Sequence, residues 1–143
     1  MFLHELNDGQ REAFMCLAAR MASADAQLQD KELAMLSQMR HEMDIPSSWR
    51  PSKVTTVVLL DRFADHRSQT IVLLELLRLA RSDQNVPEQE RLFFIEVATA
   101  FSFSRPQVRA VLQWTRRHEV LMEEAESMMT AHLRPPESSG VDV

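Results

Sequence analysis

At 143 residues, 45% of them apolar and 26% charged, the chain has the composition of one ordinary globular domain, or of two half-domains sharing a core. A formal charge of -5 argues against nonspecific affinity for nucleic acid or anionic lipid, both of which attract basic surfaces. A single cysteine, Cys16, excludes an internal disulfide, and two glycines, Gly9 and Gly140, leave no glycine-rich loop to cradle a phosphate.

Apolar residues recur at helical spacing nearly throughout, with no alternating strand pattern. Helix A is expected from an N-cap at Asn7 or Asp8 to about Ser23, with Phe14, Leu17, Ala18 and Met21 inward. Helix B opens near Asp30, turns Leu36, Met39 and Met43 inward, and stops before Pro46. Pro46-Ser-Ser-Trp-Arg-Pro51 reads as a linker, because each proline disfavours helix in the residue before it. Helix C then covers roughly Lys53 to Phe63.

Asp65 is the expected cap of helix D, His66 to Arg81, which is apolar almost all round and therefore buried on several sides. Helix E runs from Pro87, in the first turn where its missing N–H costs nothing, to about Phe101. Leu92, Phe93, Phe94, Ile95, Val97, Ala98 and Phe101 make it nearly as apolar as helix D. Ser104 caps helix F, with Val108, Leu112, Thr115, Met122, Ala125 and Met129 along one side. The tail from residue 134, which includes the Pro135-Pro136 break, reads as disordered. No apolar stretch reaches the ~20 residues that cross a bilayer, and the N-terminus lacks the basic flank of a secretory signal. The expectation is an all-α domain over residues 1–133, packed around helices D and E, in a reducing, cytoplasmic setting.

One pattern occurs twice: Asp25-Ala-Gln-Leu-Gln-Asp30-Lys-Glu32 and Asp83-Gln-Asn-Val-Pro-Glu88-Gln-Glu90. Asp25 and Asp83, like Glu32 and Glu90, are 58 residues apart, and both copies sit where one helix gives way to the next. Such a period implies two pseudo-repeated three-helix units, about residues 7–63 and 65–133. Chemically, Asp25, Asp30, Glu32, Asp83, Glu88 and Glu90 form a candidate site for a hard divalent cation, Ca²⁺ before others, since such ions select carboxylate oxygens. The alternative is structural: acids in a first helical turn satisfy backbone amides and the helix dipole, worth about 0.3–1 kcal/mol each. The spacing is not that of an EF-hand, whose sixth and twelfth positions would fall on Asp30 and Leu36.

At these residues the chain resembles the TerB-like tellurite-resistance family, whose relatives include the N-terminal domain of membrane-anchored DnaJ-like co-chaperones. Ala24-Asp25-Ala26 with Leu28 and Glu32 carry the first copy of the family pattern, and Asp83, Val86 and Glu90 the second. Ala26 and Gln84 stand where the family has glycine, and Ser82 where it has alanine, so the tightest form of the turn is costlier here. The resemblance implies a non-enzymatic, cytoplasmic binding module in a stress or tellurite/metal-ion response, acting with a protein partner at the cytoplasmic face of the membrane.

Other features carry less chemistry. His4, His41, His66, His118 and His132 match neither a zinc nor a di-iron spacing, and no glycine-flanked serine supports a hydrolase. Helix F carries Arg105, Arg109, Arg116 and Arg117 and then Glu119, Glu123 and Glu126, either a solvated face or one suited to an acidic partner or a homodimer. Met35, Met39 and Met43, and Met122, Met128 and Met129, either fill a core or line a plastic groove for a partner helix. A metal-free protein-protein interaction adaptor is thus the alternative function, and it predicts an exposed apolar patch.

Overall fold

The computed structural model describes residues 1–24, 30–80 and 86–131. Among them lie six α-helices and one short 3-10 turn, with no strand. The Asn7 side chain accepts from the Gln10 N–H while the Gln10 side chain accepts from the Asn7 N–H, and this reciprocal cap starts α1 (Asp8–Ala22). Phe14, Leu17, Ala18 and Met21 are all fully buried, as the helical spacing predicts. Ala13, Met15 and Cys16 are buried too, so α1 is enclosed rather than amphipathic.

α2 (Asp30–Glu42) buries Met39 and leaves Leu36 half-buried. α3 (Thr56–Leu60) is much shorter than the Lys53–Phe63 expected. Thr55 caps it with its hydroxyl, and beyond Leu60 the chain tightens into three-residue turns, Arg62 N–H to Leu59 O and Phe63 N–H to Leu60 O. α4 (His66–Ala80) buries Ile71, Val72, Leu73, Leu76, Leu77 and Leu79. α5 (Glu88–Ala100) starts with Pro87 as its N-cap, outside the first turn, in extended backbone at φ -58° and ψ 149°. There the Pro87 carbonyl accepts from Arg91 N–H at 3.0 Å, and proline has no N–H left to satisfy. α6 (Arg105–Thr130) runs 26 residues from a second reciprocal cap, Ser104 with Gln107.

The centre of the domain is the pair α1 and α4, not α4 with α5. α1 touches α2, α3, α4 and α5, whereas α5 leaves Leu92 54% and Ile95 42% exposed. The apolar residues of α5 encircle it, but only Phe94, Val97 and Ala98 meet neighbours closely enough to be buried. Small side chains at Ala13, Ala18 and Ala22 are what allow several helices to close on α1.

The first two helices of each half share one register. α1 and α4 both have 15 residues and α2 and α5 both have 13, each pair beginning 58 residues apart. The caps Asn7 and Asp65 keep that offset, and so do the only two described non-glycine residues with positive φ, Asp44 at 56° and Ser102 at 60°. Both end their helices alike: Ile45 N–H bonds Arg40 O and Phe103 N–H bonds Ala98 O, each at 3.0 Å, the six-to-one bond of a left-handed cap. The third helices do not correspond, since α3 has five residues and α6 has 26.

Candidate functional site

Four of the six acids proposed as cation ligands lie on described residues. Asp30 and Glu32 open α2, and Glu88 and Glu90 open α5. Asp30 is exposed, and the Glu88 side chain, 74% exposed, faces Arg91 Nη2 at 3.6 Å. Glu32 and Glu90 point the other way, each only 1% exposed, and neither lacks a partner. Asp25 and Asp83 fall outside the described residues. Among the described residues no three of His, Cys, Asp and Glu stand close enough together to hold a metal ion. Each helix start therefore divides its acids, one to solvent and one inward, at matching positions of the two halves.

A third buried acid escaped the motif. Glu75, in the middle of α4, is 1% exposed; its Oε2 accepts from Arg78 Nη2 at 2.7 Å, and its Oε1 lies 3.4 Å from the Phe2 N–H. Arg78 also directs Nη1 to Met35 Sδ on α2 at 3.2 Å. Leaving a carboxylate inside without such a partner would cost several kcal/mol, so this ion pair permits an acid on an enclosed helix. The visible signal was one glutamate in Ile-Val-Leu-Leu-Glu-Leu-Leu, with arginine three residues on.

The second candidate is α6. Along it Val108, Val111, Thr115, His118, Met122, Ala125 and Met129 alternate at spacings of three and four, which keeps them on one side of a helix about 39 Å long. The first half of this stripe is docked. Val111 and Thr115 are buried, Thr115 Oγ1 donates to Val111 O at 2.9 Å, and Phe2 packs against Trp114 with ring centres 6.0 Å apart. Leu112, expected inward, is 40% exposed and its neighbour Val111 takes the inner place.

After Thr115 no α6 residue is buried. Leu121, Met122, Met128 and Met129 are 56% to 72% exposed. Met39 of α2 and Met43, just beyond its end, by contrast, lie in the core. The two methionine groups thus part company: one fills the interior and one stands in solvent. Beside the first half of α6 a groove of about 540 Å³ separates it from α5, lined by Ile95, Phe103, Val108 and Leu112 together with Arg105 and Arg109.

None of the described helices is long and apolar enough to cross a membrane. No family model matches this chain, and no match to it is found among curated proteins or solved structures.

Proposed function

We propose that this chain is a non-enzymatic protein-interaction module, working in the cytoplasm, whose contact element is the second half of α6. The observation that carries this is the apolar stripe of α6, which continues past the body of the domain and there exposes Met122 and Met129, with Leu121 and Met128 also exposed on the neighbouring side of the same helix. Exposed apolar side chains are ordinary when scattered; set along one helix they form the kind of surface that a partner helix covers. A photoreactive residue at position 128 should give discrete protein adducts in cells, and Met122→Ser with Met129→Ser should abolish them. Adducts equally abundant from Glu96, on the outer side of α5, or unchanged in the serine variant, would remove the proposal.

A TerB-like module of a stress or tellurite/metal-ion response is the second proposal, supported by the shared 58-residue register of the two helix pairs and the matched inward acids Glu32 and Glu90. Those features agree with a doubled ancestral unit and with a divalent cation held near the two helix junctions. Ca²⁺ at about a hundred times its dissociation constant would then add about 2.7 kcal/mol of stability over chelator. The gain should vanish in Asp25→Asn with Asp83→Asn. No gain at millimolar ion ends the cation proposal and leaves the interaction module standing.

A further inference from the structure

We propose that two copies of this chain pair through antiparallel α6 helices, each placing its acidic second half along the arginine-bearing first half of the other and its Met129 toward the α5–α6 groove. This rests on α6 being the contact element and names its partner as a second copy.

Charge order along one stripe points to the pairing. Arg105, Arg109 and Arg116 are followed by Glu119, Glu123 and Glu126, all at alternating spacings of three or four through Leu112, so they share one side of α6. That side is displaced from the docked apolar stripe, which leaves it accessible while Val111 and Thr115 remain buried. Among the described residues none of the three arginines is in an ion pair. A parallel pair would set like charges against like. An antiparallel pair with its two-fold axis midway between Arg116 and Glu119 sets Arg116 opposite Glu119 of the second copy and Arg109 opposite Glu126 of the second copy. The symmetry makes every contact twice. Glu119 also interacts within its own chain, so Arg109 with Glu126 is the pair that tests the arrangement.

The apolar surfaces agree with the same register. In an antiparallel two-fold pair the same flank of each helix meets, so the flank carrying Val108, three residues after Arg105, meets the flank carrying Met129, three residues after Glu126. Val108 lines the groove with Ile95, Phe103 and Leu112, and Met129 of the second copy lies toward it, its flexible side chain suited to an irregular cleft. The overhang of one copy thereby covers the open groove of the other. The charges set orientation and register, and the apolar contact of Met129 with the groove adds to affinity.

Sedimentation of the purified chain over a concentration series should show a monomer–dimer equilibrium that weakens as salt is raised. Arg109→Glu alone and Glu126→Arg alone should each raise the dissociation constant at least about tenfold. An equimolar mixture of the two single variants should recover dimer, because every Arg109–Glu126 contact between them is again between opposite charges. Both positions lie at exposed sites, and unchanged melting of each variant monitors its fold. A chain that stays monomeric at every concentration overturns the pairing, as does a dimer indifferent to the two variants or a mixture that fails to recover. If the chain is monomeric while position 128 still cross-links to a different protein, the interaction module survives without self-pairing. If position 128 yields no adduct at all, the module itself falls.

Discussion

α1 with α2 and α4 with α5 are equal in length, offset by 58 residues and closed by the same left-handed cap, whereas the elements that follow them, α3 and α6, share a hydroxyl N-cap but differ in length, five residues against 26. The difference tracks burial. Where the halves agree, the helices enclose the core, and any change of length would displace several neighbours at once. Where they differ, α3 still buries Leu59 and Leu60 in the core, whereas α6 extends more than half of its length beyond its last buried residue. The enclosed helices make the domain, and only the second half of α6 is free to carry a contact.

The matched halves can be set against each other at one interior position. Leu17 of α1 and Glu75 of α4 are 58 residues apart, and both are fully buried. Leu17→Ala should cost about 3 kcal/mol, the transfer term of the lost atoms plus a cavity. Glu75→Ala should cost about as much for another reason, because it strands the Arg78 guanidinium, itself only 19% exposed. Chemical denaturation separates the causes: adding Arg78→Met should restore much of the stability lost in Glu75→Ala, since removing both partners is far milder than removing one. If it restores nothing, the ion pair is not what makes Glu75 tolerable.

The unmatched helices give the next contrast. Leu60 closes α3 at 7% exposure and Met129 nears the end of α6 at 62%. Leu60→Ala should lower stability by about 2 kcal/mol, while Met129→Ala in the monomer should stay within about 0.5 kcal/mol. A loss above that at Met129, measured where the chain is monomeric, would mean that the overhang belongs to the core and is no contact surface.

What could be read in advance divides along the same line. Helix starts at Asn7, Asp65 and Ser104 were legible because a cap is decided by side chains within three residues of it. The inward stripe of α1 was legible from its spacing. The exposure of Leu92 and Ile95 was not, because an apolar side chain states a preference for burial without naming what will cover it, and α5 lacks a neighbour on that side. α6 shows the limit most plainly. Its apolar stripe is equally periodic in both halves, yet one half meets the body and the other does not, since the body ends near Thr115. The acidic motif was legible as a pattern, but its spacing alone did not separate Glu32 and Glu90, which turn inward, from Asp30 and Glu88, which turn to solvent.

The two N-caps are equivalent in place and unlike in chemistry, which turns them into a pH experiment. The Ser68 hydroxyl donates to Asp65 Oδ1 at 2.6 Å and the Ser68 N–H to Oδ2 at 3.0 Å; these bonds hold the carboxyl below its ordinary range. Because the folded value is the lower one, the contribution of Asp65 is complete above the ordinary carboxylate range and is lost as pH falls through the depressed folded value. Asn7 has no such proton. Asn7→Ala and Asp65→Ala should each cost about 1 kcal/mol at neutral pH. In acid the Asp65→Ala cost should shrink while the Asn7→Ala cost holds, and equal pH dependence for the two would show that Asp65 does not cap α4 as a carboxylate.

The smallest contrast lies at the helix ends. Asp44 and Ser102 adopt a left-handed backbone that costs a residue with a Cβ about 1–2 kcal/mol. Glycine removes that cost but gives back about 0.5–1 kcal/mol of chain entropy. The net gain for Asp44→Gly or Ser102→Gly is therefore on the order of 0.5 kcal/mol. Ser102 should gain the more, because a short acidic side chain tolerates this conformation better than a serine does. Thermal melts of the two variants rank them directly. A loss at Ser102 would mean that its side chain, rather than its backbone, fixes the turn into Phe103 and the mouth of the α5–α6 groove.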